Sequence, residues 1–279
     1  SYKTEAACVE VVASPQIGYA LTAQTSHTPP DTSGWSNYDC SAPATSGTFI
    51  LNGDCTLSAE VILTGELTIV GSNQDMGALK TITAKTNKRH FGLNGATHKL
   101  HLWHVKLTGG ETNTAYGGSI EIERSGGILN LYYSELSGNK AHTGGAISIY
   151  GVTTNTISIA NIYGSIIKDN EATMYAGGIY AWYGIATISD TLIDNNQAVH
   201  FGGGLAIRRS VATITNSIIS NNNVDNNNIN NNNNNSYENC DDNNNFMQNL
   251  FIGMGLFTMF IILTSKSIVR KFGWFKGAI

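Results

Sequence analysis

A sequence repeat between Leu129 and Asn222 constrains the fold of this chain more than any other feature. One pattern occurs four times: a small apolar residue, a gap, an apolar residue, two residues, Ser or Thr, a gap, an apolar residue, two residues and Asn. The closing residues of the units are Asn139, Asn170, Asn196 and Asn222. A recurring unit of this length indicates stacked supersecondary elements, none of which can bury its apolar face alone.

The spacing inside each unit is that of β-strands. Apolar residues alternate with polar or aromatic ones, as in Ile162 next to Tyr163 and Ile188 next to Ser189. Alternation places one set of side chains inside and the other outside, and Ile, Thr and Tyr favour strands. No apolar stripe of helical period runs through the region. The repeat therefore predicts an all-β fold, a right-handed, single-stranded parallel β-helix whose coils stack about 4.8 Å apart.

Asparagine and glycine are predicted to form the corners of the coils. The four closing Asn residues can form a ladder of amide hydrogen bonds along the axis, and Asn tolerates the left-handed backbone of a sharp corner. Glycine pairs suit the opposite corner, where a positive φ or a close backbone approach is needed. These structural glycines are Gly117, Gly118, Gly144, Gly145, Gly177, Gly178, Gly203 and Gly204.

Part of the repeat resembles a known family. The segment Gly144-Gly145-Ala146-Ile147, followed by apolar-x-x-Asn, is similar to the GGAI and FxxN repeats of chlamydial polymorphic membrane proteins. It also resembles the wider class of pectate-lyase-like β-helices, and the match covers residues 117–222. The Phe of FxxN is replaced here by Leu136, Ile167, Ile193 and Ile219. The resemblance implies a surface-exposed, adhesin-like solenoid.

Composition argues against nucleic acid as a partner and against a zinc site formed by the cysteines. The chain of 279 residues has a net charge of −4 and only 13% charged residues, so it has no basic footprint for nucleic acid. The four cysteines match no zinc spacing. Cys40 and Cys55 flank the first strand-like run and can form a disulfide if the chain is secreted. Cys8 and Cys240 are either free or paired with segments outside this chain.

The chain divides into five predicted segments. They are an irregular N-terminal cap at 1–46, the β-helix at 47–222, an Asn-rich disordered linker at 223–245, a transmembrane helix at 246–265 and a basic cytoplasmic tail at 266–279. Alternatively, the Asn-rich segment forms a corner of a final coil instead of a disordered linker. The chain begins at Ser1 without an initiator Met, and we expect it to be a processed or truncated form.

The uncharged, apolar segment 246–265 is long enough for a thin or tilted membrane crossing. Acidic residues precede it, and basic residues follow it at Lys266, Arg270, Lys271 and Lys276. This asymmetry predicts a single-pass protein with its C-terminus in the cytosol and the β-helix at the cell surface. The alternatives are a helix that caps the solenoid and, if the segment does not span a membrane, a secreted protein.

We find no catalytic residue, metal site or cofactor motif in the sequence. The one Asp-Asp pair, Asp241-Asp242, falls in the predicted linker. Asp169, Asp190 and Asp194 occupy corners, where Asp more often forms turns than binds calcium. The histidines His98, His101 and His104 have a helix-like spacing of three, but they lie in a predicted strand, where His101 and His104 point to opposite faces.

One outward face of the predicted solenoid carries candidate ligand-binding residues. Aligning the inward residues that follow the glycine pairs leaves Glu121, Glu123, Ser148, Tyr150, Tyr180, Trp182, Ala206 and Arg208 outside. We select Tyr150, Tyr180, Trp182 and Arg208 because exposed aromatic side chains on a rigid strip can stack on sugars or anchor a protein. Trp182 and Arg208 are also placed to form a cation–π pair. Alternatively, these side chains only favour strand formation, or a loop covers them.

These observations predict one function, and they leave an enzyme as the alternative. The first is a non-enzymatic cell-surface protein that binds a carbohydrate or a cell-surface protein, or forms a structural part of the surface. The second is a carbohydrate-active enzyme, a polysaccharide lyase or glycoside hydrolase. The enzyme should bring carboxylates to within about 10 Å of one another beside a groove.

Overall fold

The computed structural model describes residues 27–151, 158–225 and 250–251 of the chain. This part of the chain is a parallel β-solenoid of about six turns, and no helix occurs among the described residues. The four coils that begin at Lys99, Gly127, Ser158 and Gly184 have four strands each, which belong in turn to sheets 1, 2, 3 and 4, and the last described coil, from Val211, has strands in sheets 1, 2 and 3. The first two coils have no strand in sheet 3.

The strands are numbered along the chain and grouped here by sheet. Sheet 1 contains β1 (Ser36–Asn37), β2 (Gly47–Leu51), β5 (Glu66–Gly71), β8 (Lys99–Trp103), β12 (Gly127–Tyr132), β16 (Ser158–Tyr163), β20 (Gly184–Ser189) and β24 (Val211–Thr215). Sheet 2 contains β3 (Cys55–Thr56), β6 (Lys80–Thr83), β9 (Val105–Thr108), β13 (Glu135–Ser137), β17 (Ile166–Lys168), β21 (Leu192–Asp194), β25 (Ile218–Ser220) and β27 (Leu250–Phe251).

Sheet 3 contains β10 (Glu111–Tyr116), β14 (Lys140–Thr143), β18 (Glu171–Tyr175), β22 (Gln197–Ala198) and β26 (Asn223–Val224). Sheet 4 contains β4 (Val61–Ile62), β7 (Phe91–Leu93), β11 (Ile120–Ile122), β15 (Ile147–Tyr150), β19 (Ile179–Trp182) and β23 (Leu205–Arg208). Each strand pairs in parallel with its equivalent in the next coil, and the short β27 pairs antiparallel with β25.

Equivalent inward residues form apolar rows along the solenoid axis. In sheet 1, Leu129 lies opposite Ala160, which lies opposite Ala186, and all three are fully buried. The neighbouring row contains Leu131, Ile162 and Ile188. Because every coil adds side chains to the same rows, the core is one continuous column rather than a set of separate clusters.

The four closing Asn residues form a buried ladder. Asn139 Nδ2 donates to Asn170 Oδ1 at 3.0 Å, and the same bond links Asn170 to Asn196 and Asn196 to Asn222 at 2.9 Å. Each Oδ1 also accepts the backbone N–H of the preceding ladder residue, or of Gly110 in the case of Asn139. The ladder Asn residues are therefore fixed by side-chain bonding in the interior.

The left-handed backbone conformation that we expected at these Asn residues occurs instead at the residue directly before each of them. The corner residues with positive φ are Gly138, Asp169, Asn195 and Asn221. The physical reason is that a ladder side chain must point inward, whereas the corner residue before it turns the chain and points outward. Asp169 thus has the turn-forming conformation expected of a corner Asp, with φ of 56°.

A second ladder, formed by Ser and Thr, lies at the corner between sheets 1 and 2. Ser165 Oγ donates to the Tyr163 carbonyl at 2.9 Å and accepts the Ser134 backbone N–H at 3.2 Å. Thr191 and Ser217 make the equivalent bonds in the next two coils. The repeat contains these hydroxyl residues, but the sequence alone gives no direct indication that they bond from coil to coil.

The glycine pairs are offset by one residue between coils. The strands of sheet 4 fix the register of the residues before them. The residue two positions before each strand is Gly118, Gly145, Gly177 or Gly203 in four successive coils. A Cβ at any of these would collide with backbone oxygens of the next coil. This position requires glycine because of the close approach, whereas positive φ occurs one residue earlier, at Gly117, Gly144, Ala176 and Gly202.

Tyr38 and Cys40 cover the N-terminal end of the solenoid. Both side chains are almost fully buried in the core, and Cys40 forms a disulfide with Cys55 across a Cα–Cα distance of 6.0 Å. Sheet 1 begins at Ser36, inside the segment predicted as an irregular cap. The strand pairs of the main coils continue to Val224.

Several predictions fall outside the described residues. These are the structure of residues 1–26 with Cys8, of the linker beyond Asp225 with Cys240, and, apart from Leu250–Phe251, of the predicted membrane helix and basic tail. Within the part of the chain that the structure describes, no helix has the length and apolar character of a membrane span.

Candidate functional site

The corner between sheets 3 and 4 is lined on its outer side by aromatic side chains. Tyr175, at the end of β18, and Tyr180, in β19, stand on opposite sides of this corner, and their rings stack with centroids 6.2 Å apart. Outward side chains of the two sheets therefore face each other across a concave corner. We call this surface the corner groove; it is formed by Tyr116, Tyr175 and Phe201 from sheet 3 and by Tyr150, Tyr180, Trp182 and Arg208 from sheet 4.

The sheet 4 side of the groove is an aromatic row that ends in a cation. Tyr150 lies opposite Trp182, and Trp182 lies opposite Arg208. The Tyr150 and Trp182 rings meet edge to face with centroids 4.8 Å apart. The Arg208 guanidinium carbon lies 6.0 Å from the Trp182 ring centroid and 5.9 Å from that of Tyr175. Arg208 therefore contacts both sides of the groove.

The four predicted contact residues differ in exposure. Tyr180 is 2% exposed and Tyr150 is 9% exposed, so these two rings form the floor of the groove. Burial raises the pKa of Tyr180 to about 12, and the Arg208 charge and hydrogen bond oppose this shift. Trp182 is half-buried and Arg208 is exposed. A ligand can therefore reach Trp182 and Arg208 directly, whereas Tyr180 can support the site only from beneath.

Sequence reasoning missed the sheet 3 side of the groove. Tyr116, Tyr175 and Phe201 come just before the glycine-rich corner, and Phe201 is 39% exposed. The Tyr175 and Phe201 rings stack with centroids 5.5 Å apart. An available signal was an aromatic residue directly before the corner residue with positive φ. The signal is weak because the aromatic residue is absent from one coil, where Thr143 precedes Gly144, and because the strands of sheet 3 have no recurring pattern of their own.

One end of the groove is acidic. Glu121 and Glu123, which we call the acid end, are two residues apart on the outward side of β11 and its C-terminal flank. Glu121 forms an ion pair with the buried Arg89, whose Nε lies 3.1 Å from Glu60 Oε1. A pocket of about 130 Å³ is lined by Tyr116, Glu121, Glu123, Arg124 and Tyr150.

The three histidines with helix-like spacing do not converge. His101 lies in β8, where Asn130 Nδ2 is 3.2 Å from its Nδ1. His104 occupies a left-handed corner and stacks on Tyr133 with ring centroids 5.3 Å apart. Burial lowers the pKa of both imidazoles. Within the described ranges, no group of three or more His, Cys, Asp or Glu residues has a metal-binding arrangement.

The corner aspartates make local polar contacts. Asp169 accepts a hydrogen bond from Asn195 at 2.6 Å, and Asp194 accepts one from Ser220 at 2.7 Å. Asp190 has a left-handed backbone with φ of 51°. These bonds join neighbouring coils along the surface, which is a structural use of the carboxylates.

Comparison with known proteins adds no relative. No family model, no curated protein and no solved structure matches this chain. The functional argument therefore depends on the groove itself.

Proposed function

We propose that this chain is a non-enzymatic β-helix protein of the cell surface that binds a glycan through the corner groove. The observation that carries the proposal is the row of Tyr150, Trp182 and Arg208 facing the sheet 3 aromatics. Aromatic faces on rigid strands can stack on sugar rings with little loss of side-chain entropy, and an adjacent Arg can hydrogen-bond hydroxyl groups. A cell-surface protein is the alternative partner.

The location at the cell surface is a further part of the proposal. The Cys40–Cys55 disulfide supports an oxidising compartment, because such bonds are rare in the cytosol. The similarity to the repeats of chlamydial polymorphic membrane proteins supports an adhesin-like role and a right-handed coil. Anchoring by segment 246–265, with the solenoid outside, rests on the charge asymmetry around that segment.

The runner-up is a carbohydrate-active enzyme of the pectate-lyase-like class. It is favoured by the acid end, where Glu121 and Glu123 line one pocket with Tyr116 and Tyr150. Glycosidases need one carboxyl group that can donate a proton and a second that stays ionised. Glu121 already forms an ion pair with the buried Arg89, and this pairing counts against a role as the proton donor.

A glycan and cell-surface binding screen with the full chain tests the proposal. Trp182→Ala should weaken binding about 30-fold, since removing a central aromatic contact typically costs about 2 kcal/mol. Trp35→Ala is the matched control, because Trp35 is also half-buried but lies next to β1, outside the groove.

Equal binding by the wild type and Trp182→Ala would exclude the groove as the site. Absence of any glycan or cell-surface ligand would instead favour a structural component of a wall or appendage. Hydrolysis or elimination products from a bound glycan would favour the enzyme.

A further inference from the structure

The acid end of the corner groove has more negative than positive charge. The carboxylates of Glu60 and Glu121 both contact the single buried guanidinium of Arg89. Burial lowers the pKa of Arg89, and the negative charges of Glu60 and Glu123 oppose this shift. Two carboxylates thus contact one buried cation, and a third, Glu123, lines the same pocket as Glu121, so a cation that enters from the groove can offset the excess negative charge.

One cation already occupies the mouth of this pocket. The exposed Arg124 places its guanidinium carbon 4.9 Å from the Tyr150 ring centroid, and its Nη2 lies 3.4 Å from the Tyr150 hydroxyl. Tyr116 completes the aromatic wall, with its ring centroid 5.3 Å from that of Tyr150. The long hydrogen bond and the exposure of Arg124 indicate a weakly held side chain that a ligand cation can replace.

A buried hydroxyl beside the acid end has no partner. Ser148 lies between Glu121 and Tyr180 in the outward row of sheet 4 and is fully buried. Its Oγ makes no hydrogen bond within the described part of the chain. An unsatisfied buried hydroxyl is costly, so a polar group that reached it would be stabilised there.

From these features, and resting on the proposed function, we propose that the acid end binds a protonated amine and that the glycan is therefore an amino-sugar oligosaccharide. Glu123 and Glu121 pair with the ammonium group, and the Tyr150 ring supplies a cation–π contact. Trp182 stands one coil, about 4.8 Å, beyond Tyr150, and two coils beyond Glu121 and Glu123, which lie in the coil before Tyr150. An amine attached directly to a ring can therefore lie over Tyr150, next to the acid end, while the ring itself extends towards Trp182 in the following coil.

Calorimetry with the full chain and three oligosaccharides of matched length and linkage tests the proposal. The probes are glucosamine, N-acetylglucosamine and glucose oligomers, which differ in whether they carry a cation. We expect the glucosamine oligomer to bind about 10-fold more tightly than the other two, as a charge-assisted contact allows. Glu123→Gln should remove this preference, and it is conservative because Glu123 is only half-buried.

Arg124→Ala provides a test with an expected gain. Removing the internal cation should tighten binding of the glucosamine oligomer about 3-fold, because the ligand no longer competes with Arg124. An N-acetylglucosamine oligomer bound equally well, no effect of Glu123→Gln, or weaker binding by Arg124→Ala would each overturn the amine assignment. The groove would still stand if Trp182→Ala reduced binding of another glycan. If no sugar binds and Trp182→Ala changes nothing, the proposed function fails as well.

Discussion

At the scale of single residues, the ladder Asn side chains each make several buried hydrogen bonds. Asn170 Oδ1 accepts the backbone N–H and the Nδ2 of Asn139, while its own Nδ2 donates to Asn196 Oδ1 and to the Leu136 carbonyl. Because Asn170 is 1% exposed, water cannot replace these bonds if the side chain is removed.

We therefore expect Asn170→Ala to lower the free energy of unfolding by about 3 kcal/mol, since several buried groups lose partners at once. Denaturant unfolding followed by circular dichroism measures the change. Asn161→Ala is the control: Asn161 is half-buried on the outer face and donates one side-chain bond to Asn130 Oδ1 at 2.9 Å. That variant should lose less than about 1 kcal/mol. Similar losses in both would contradict a special role for the buried ladder.

At the scale of strands and corners, the sequence predicts some elements better than others. Sheets 1 and 2 follow from the repeat, because residues such as Ile162 and Ile167 recur at fixed distances from the closing Asn. Sheet 3 was not anticipated, since its strands have short inward residues such as Ala141 and Ala172 and no recurring polar ending. For the same reason, the sequence analysis selected residues only on the sheet 4 side of the corner groove. The repeat aligns the strands of sheet 4, whereas the strands of sheet 3 have no pattern by which to align them.

The glycine corner gives the element-scale prediction. Gly145→Ala should destabilise the protein by about 3 kcal/mol or prevent folding, because the new Cβ overlaps backbone oxygens of Glu171 and Gly177 in the next coil. Gly53→Ala is the matched control. A Cβ on Gly53 meets nothing within 4 Å, so its unfolding free energy should stay within about 0.5 kcal/mol of wild type. Chemical denaturation of both variants checks this, and a stable Gly145→Ala protein would show that neighbouring coils can separate at this corner.

At the scale of the whole molecule, the solenoid depends on contacts that join each coil to the next. His90 is such a contact: it is fully buried, and its Nε2 lies 3.0 Å from the Ile82 carbonyl and 3.1 Å from the Thr108 carbonyl. Because two carbonyls can only accept, Nε2 must carry the proton, and Nδ1 accepts from Ser119 Oγ at 3.1 Å. The neutral imidazole thus joins the strands β6 and β9 to the corner before β11.

Burial lowers the pKa of His90 from its ordinary value of 6.5 to about 4, with the two carbonyl hydrogen bonds opposing the shift. Between these values the unfolded chain binds more protons at this residue than the folded chain. The contribution of His90 to stability is therefore complete above pH 6.5 and is lost as the pH falls towards 4. A shift of this size corresponds to about 3 kcal/mol.

Denaturation midpoints measured from pH 7 to pH 4 test this linkage. The wild type should lose stability across the interval, with His101 and His104 adding to the loss because burial lowers their pKa values too. In His90→Gln, the amide Nε2 can still donate to the carbonyls but does not titrate. This variant should be less stable at pH 7, yet its loss between pH 7 and pH 4 should be smaller than that of wild type by about 3 kcal/mol. Parallel pH profiles for the two proteins would mean that His90 gains its proton without opening the coils around it.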